Sequence, residues 1–132
     1  MGKKNEEVKS VRLLDTDIFI DFFRGFNEAK NFIKGYMEEI VFSAISETEL
    51  LSGKECNDPN DKERILHILS KFKKVAVDNP ITIFAGDIRR IYGLEVPDAI
   101  LAASAMSTGS ILVTRNIKDF KNIKGLKIHK PY

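Results

Sequence analysis

The side chains with the potential for chemistry in this sequence are carboxylates. Asp15, Asp17 and Asp21 stand close together early in the chain, Glu47 and Glu49 follow Ser43, Asp98 follows Pro97, and Thr114, Asn116 and Asp119 lie near the end. The single cysteine, Cys56, and the two histidines, His67 and His129, are far from them in sequence. Hard oxygen donors without sulfur or imidazole suit magnesium or manganese rather than zinc. Several carboxylates brought to one place repel one another. Without a cation, at least one must have a raised pKa or the loops that carry them must splay. A divalent ion removes that conflict and can activate water for attack on a phosphodiester.

Each of these residues also has a purely structural reading. Asp15, Thr16 and Asp17 are all able to cap a helix, and Asp21 lies three residues before Arg24, where it suits a surface ion pair or a support for a site. Weak periodicity around Glu47 and Glu49 leaves open which of them faces a sheet and which is solvated. Asp98, next to a helix-starting proline, is favoured there by the helix dipole alone. Thr114 and Asn116 suit a strand end, and Asp119 suits a turn cap. His67 sits on an amphipathic helix and His129 near the end, neither well placed for general-base work. Cys56 precedes a polar turn with no activating neighbour and reads as inert. Lys71, Lys73 and Lys74 read as a solvated helix end, whereas Arg89, Arg90 and Arg115 are candidates for local attraction of a polyanion.

What must position the carboxylates is an alternation of short apolar runs with helical patterns. Strands are predicted over 11–14, 40–44, 75–77, 111–114 and 126–129. Helices are predicted from the cap at Asp17 or Thr16 to Gly25, and over 27–34, 46–51, 62–72, 80–91 and 97–108, with a single turn at 118–120. Ser46 is the expected cap of the third helix. Ala99, Ala102, Ala103, Ser104 and Ala105 allow the last long helix to lie close to a sheet. Apolar strands alternating with helices imply a mostly parallel five-stranded sheet covered on both faces, a three-layer α/β/α sandwich. In such a sheet, ligands bind beyond the carboxyl ends of the strands, where Asp15 to Asp17, Ser43 to Glu49, Asp98 and Thr114 to Asp119 are expected.

Size and charge narrow the function. The chain has 132 residues, 43% hydrophobic and 30% charged, which fits one domain over 11–132 behind a charged, frayed tail over 1–10. A formal charge of +2 is far below the basic excess of a protein that holds nucleic acid mainly by phosphate electrostatics, so any such role is local. One cysteine excludes an internal disulfide and a cysteine-rich zinc site. No signal peptide or membrane span is legible, and a cytoplasmic protein is expected.

Taken together, four segments resemble the PIN-domain ribonucleases, and in particular the VapC-type toxins of toxin–antitoxin pairs. They are Leu13-Leu14-Asp15-Thr16-Asp17-Ile18-Phe19-Ile20-Asp21, then Ser43-Ala44-Ile45-Ser46-Glu47-Thr48-Glu49-Leu50-Leu51-Ser52-Gly53, then Pro97-Asp98-Ala99-Ile100-Leu101-Ala102-Ala103, and Leu112-Val113-Thr114-Arg115-Asn116-Ile117-Lys118-Asp119-Phe120. The resemblance implies that Asp15, Glu49 and Asp98 bind Mg2+ or Mn2+. Glu49 is taken over Glu47 because it precedes Leu50-Leu51-Ser52-Gly53. Asn116 and Asp119 match a variable fourth position, with Asp119 as a further metal ligand and Thr114 beside it. Asp17 departs from the Asn, Ser or Thr usual at its position, and the segment between Ala85 and Pro97 looks shorter than in many relatives. The resemblance further implies an endoribonuclease that leaves a 5′-phosphate and a 3′-hydroxyl, a homodimer, and a cognate antitoxin that wraps the toxin and blocks the site. Phe19, Phe22, Phe23, Phe26, Phe32 and Tyr36 form an apolar concentration for the core and for such a partner. Two other readings stay open. One is a haloacid-dehalogenase-like phosphatase with Asp15 as nucleophile, against which the short chain and the lack of later Lys and paired-Asp motifs argue. The other is a PIN-like module that binds RNA or protein without cutting, against which the three filled acidic positions argue.

Overall fold

The computed structural model describes residues 10–132. The expected frayed tail falls almost wholly on residues 1–9, outside the described residues. Five strands, β1 (Arg12–Leu14), β2 (Ile40–Ser43), β3 (Lys73–Val75), β4 (Ile111–Val113) and β5 (Ile128–His129), form one sheet in the order β3-β2-β1-β4-β5. Every pairing is parallel. Around it lie α1 (Thr16–Phe23), α2 (Asn27–Gly35), α3 (Ala44–Leu51), α4 (Pro59–Leu69), α5 (Asn79–Tyr92), α6 (Val96–Ser107) and α7 (Ile117–Phe120).

The three layers follow from the two-residue period of a strand. On β1, β2 and β4, Leu13, Val41 and Leu112 point to one face, where they pack with Ile81, Ala85 and Ile88 of α5, the alanines of α6 and Phe120. Leu14, Phe42 and Val113 point to the other face and meet Ile18 and Phe19 of α1, Phe32 and Ile33 of α2, and Ile65 and Leu69 of α4. These strands are apolar at successive positions because both faces are covered. Phe19 is fully buried and its ring meets those of Phe42 and Phe72 at about 6 Å.

The edges depart most from the expected boundaries. The third strand is Lys73–Val75, two residues earlier than expected, in register Val41↔Lys73 and Ser43↔Val75. An edge strand faces solvent, and exposed lysines there block pairing with another chain, so its charge hides it from an apolar-run criterion. At the other edge β5 has only two residues. Helix α4 starts at Pro59, with Asp58 Oδ1 accepting from Asn60 N, because the Asp-Pro pair is a cap followed by a first-turn proline rather than a separating turn. The cap of α3 is Ser43, whose Oγ accepts from Ile45 N, and not Ser46. Gly93 closes α5 in the left-handed conformation, φ 76°, which carries the chain directly into α6.

Candidate active site

Because all five strands run in one direction, every segment that leaves a strand does so at the same end of the sheet. Asp15 follows β1, and Asp15 N donates to Val113 O, locking it to the neighbouring β4. Asp15 stands at the N-cap of α1 with extended backbone, yet its side chain makes no capping bond. Its Oδ2 instead accepts from Thr114 Oγ1 at 2.8 Å. Thr16, already inside the helix, is not the cap, and neither is Asp17.

Glu49 is presented by α3, which β2 launches. Thr16 Oγ1 donates to Glu49 Oε1 at 2.5 Å and lies 2.8 Å from the buried Ser46 Oγ, so the Thr16 hydroxyl fixes this carboxylate beside the start of α1 and Ser46 supports the hydroxyl. Glu47 is turned elsewhere, pairing with Lys74 on the edge strand at 3.2 Å, which separates the two glutamates that spacing alone left equivalent. Asp98 occupies the first turn of α6. Asn116 N donates to Thr114 Oγ1, and Asn116 Nδ2 donates to Asp119 Oδ2 at 2.6 Å, so the segment after β4 brings Asp119 in on α7.

The electrostatics show that these groups share one place. Burial pushes the carboxyl of Asp15 up from 3.8 to about 6, opposed by the Thr114 hydrogen bond and reinforced by the charges of Asp17 and Asp98. Asp98 is pushed up to about 6 by desolvation and then by Asp119, Glu49, Asp17 and Glu95. This is the raised proton affinity expected of crowded carboxylates. Among the described residues no three Asp, Glu, His or Cys side chains converge tightly enough to enclose one ion. An all-oxygen set of mutually repelling carboxylates suits a hard divalent cation.

The structure thus brings Asp15, Glu49, Asp98, Asp119, Asn116 and Thr114 to one end of the sheet. Thr114 has no exposed surface and orients Asp15 from below. Sequence reasoning missed three contributors. Asp17, read chiefly as a cap, adds its charge to both raised acids. Thr16, also read as a cap, holds Glu49, and Ser46, read the same way, meets the Thr16 hydroxyl. The adjacency of Thr16 to Asp15 was the available signal, since a hydroxyl in the first turn after a strand faces the same sheet end. Asp21 does not pair with Arg24; its partners are Arg115 and Tyr132. His67 is exposed on α4, and His129 lies beside Arg12 and the Phe32 ring, so neither histidine joins the acids.

Known proteins share this fold. The chain is 30% identical over 126 residues, 88% of its length and 92% of the relative's, to Ribonuclease VapC1 of Rickettsia felis. Among solved structures it is similar to a toxin–antitoxin complex from Klebsiella pneumoniae, with 32% identity, a TM-score of 0.81, and coverage of 92% of this chain and 98% of that one. The fold is also that of DNA-bound VapBC from Salmonella typhimurium, at 21% identity and a TM-score of 0.84 over 94% of this chain and all of that one. Residues 12–126 match the PIN domain model from the first strand to the last turn before β5, and the chain belongs to the PIN domain family.

Proposed function

We propose that this chain is a divalent-metal-dependent endoribonuclease, the toxin of a toxin–antitoxin pair. The observation that carries the reading is the pair of acids, Asp15 and Asp98, both pushed up to about 6 among further carboxylates at the carboxyl end of a parallel sheet. Such a site is under electrostatic stress that a divalent ion relieves. The ribonuclease and toxin–antitoxin relatives support the same conclusion.

In this reading Asp15, Glu49 and Asp98 hold Mg2+ or Mn2+, with Asp119 as a fourth acid. When bound, the ion supplies an activated water and stabilises the leaving oxygen of an RNA phosphodiester. The chain's own residues set the geometry. Thr114 fixes the Asp15 carboxylate by donating to it, Thr16 fixes Glu49, and Asn116 fixes Asp119. The Thr114 hydroxyl donates to the charged form of Asp15 and so favours the ionised state that binding requires.

The partners of this reading are a cognate antitoxin protein and a second copy of the chain. A groove of about 510 Å3 between α2 and α4, lined by Phe22, Ile33, Met37, Ile68 and Phe72, offers an apolar partner helix a place to lie. Ile83, Ile91 and Val96 stand exposed on α5 and at the start of α6, an apolar face suited to a second copy. Among the described residues no helix is long and apolar enough to cross a membrane.

The test is cleavage of a pool of structured RNAs by the purified protein and by Asp15→Asn, with Mn2+ or Mg2+ and then with EDTA. Discrete cuts ending in 5′-phosphate, lost in the variant and in EDTA, support the reading. Products carrying a 2′,3′-cyclic phosphate would refute the hydrolytic route. RNA binding without any cutting would favour a non-cutting module.

A further inference from the structure

A second charged cluster lies beside the acids. Arg115 leaves β4 between Thr114, which holds Asp15, and Asn116, which holds Asp119. Its Nε lies 3.0 Å from Asp21 Oδ2, and the same oxygen accepts from Tyr132 Oη at 2.7 Å. The Asp21 side chain is 5% exposed and that of Arg115 is 42% exposed. Asp21 is one helical turn beyond Asp17 on α1, so the pair adjoins the acidic end of that helix. The guanidinium is thus anchored through Nε on a buried carboxylate, while its Nη groups have no protein partner among the described residues.

The other two arginines proposed from the sequence are engaged differently. Arg89 Nη1 donates to Leu94 O at 2.6 Å, and Arg90 Nη2 pairs with Asp87 at 2.9 Å, both within or just after α5. Only Arg115 of the three stands in the loop that carries the site. Burying a carboxylate for one half-exposed ion pair is a poor route to stability, since an apolar pair of similar volume does as well. It is an effective way to aim a guanidinium, whose planar fork matches a phosphate. A site made of carboxylates repels a polyanion, and a preoriented cation at its rim offsets that repulsion without immobilising a free side chain.

We infer that Arg115 binds a backbone phosphate of single-stranded RNA next to the bond that is cut, and that Asp21 and Tyr132 are positioning residues for it. The inference rests on the endoribonuclease reading. The test is steady-state cleavage of a fluorescent single-stranded RNA oligonucleotide with one cut site, in Mn2+, across a KCl series. It compares wild type, Arg115→Ala, Arg115→Lys, Asp21→Asn and Tyr132→Phe, with Lys62→Gln on α4 as a charge control. Arg115→Ala is expected to raise KM about ten-fold or more, with kcat nearly kept. It should also flatten the dependence of log kcat/KM on log salt by about 0.7, one phosphate contact to a single strand. Asp21→Asn frees the guanidinium but keeps its charge, so KM rises while the salt slope stays, which loss of a merely structural contact would not separate. Tyr132→Phe moves KM the same way by less, and Lys62→Gln moves neither. If Arg115→Ala unfolds because Asp21 is left unpaired, Arg115→Lys, which keeps the charge and loses the fork, decides by the same rise in KM. Folded Arg115 variants with wild-type KM and salt slope would overturn the inference and leave the ribonuclease intact. A wild type that cuts no RNA would overturn the ribonuclease reading and the inference with it.

Discussion

Neutralising Asp15 should abolish cleavage and, in the absence of metal, make the protein more stable. The folded chain holds the Asp15 carboxyl at about 6 against an ordinary 3.8, so ionising it inside the fold costs about 3 kcal/mol. The sign follows from proton binding. Between 3.8 and about 6 the folded state keeps a proton at Asp15 that the unfolded chain releases, so this group's contribution is fully present below 3.8 and is lost as pH rises through 6. Asparagine has nearly the same shape, and its carbonyl oxygen still accepts from Thr114. It carries no charge to desolvate and none to oppose Asp17 and Asp98. In EDTA at pH 7.5, Asp15→Asn is therefore expected to exceed wild type by about 1 to 3 kcal/mol. That corresponds to a rise in Tm of about 3 to 5 °C per kcal/mol for a domain of this size. The advantage should shrink steadily as pH falls and vanish near pH 4. Thermal and urea unfolding followed by circular dichroism at half-unit steps from pH 4 to 7.5 measures it. An Asp15→Asn protein no more stable than wild type at pH 7.5, or one whose advantage does not change with pH, would refute the claim that Asp15 is held against its electrostatic preference.

Other outcomes follow from the same geometry. Millimolar Mn2+ or Mg2+ should raise the Tm of wild type at pH 7.5 and do so less at pH 5.5, where Asp15 and Asp98 hold protons that compete with the ion; Asp98→Asn should blunt the effect, as read by differential scanning fluorimetry. Thr114→Val removes the donor that lowers the Asp15 pKa, so the acidic limb of the pH–rate profile should move to higher pH, with about 1 to 2 kcal/mol of stability lost for two buried hydrogen bonds. Phe19→Ala, which empties the space between Phe42 and Phe72, should cost about 3 to 5 kcal/mol in urea unfolding. Ser104→Ala should be neutral or stabilising by up to about 1 kcal/mol, because the Ser104 hydroxyl is fully buried without a partner among the described residues.

What the sequence made legible was whatever depends on neighbours along the chain. Strand runs such as Leu13-Leu14 and Leu112-Val113 declare a sheet buried on both faces, and the rule that ligands gather at carboxyl ends then selects Asp15, Asp98 and Thr114 from many polar residues. Relations across the fold left no such trace. Spacing could not separate Glu49 from Glu47; the structure does so through Thr16, 33 residues away, and Lys74 on the edge strand. Asp21 was read against Arg24, its neighbour on the helix, while its real partners follow β4 and β5, Tyr132 being 111 residues distant. Boundaries slipped where polar side chains serve structure: Ser43 and Asp58 as caps, Lys73 and Lys74 as guards of an edge.

The placement of the hydroxyls explains how a fold this small tolerates its acids. Three of the crowded carboxylates are gripped by donors: Asp15 by Thr114 just after β4, Glu49 by Thr16 at the start of α1, and Asp119 by Asn116 at the cap of its own helix. The donors are backed by strands and helices whose apolar faces form both cores, so local repulsion cannot relax by moving a single loop. Repulsion is therefore stored as a raised proton affinity rather than released as disorder, and it becomes available to whatever cation enters. Loosening the Thr114 contact should shift the proton affinity of Asp15 before it shifts the fold, which makes pH dependence, not stability, the sensitive measure of this site.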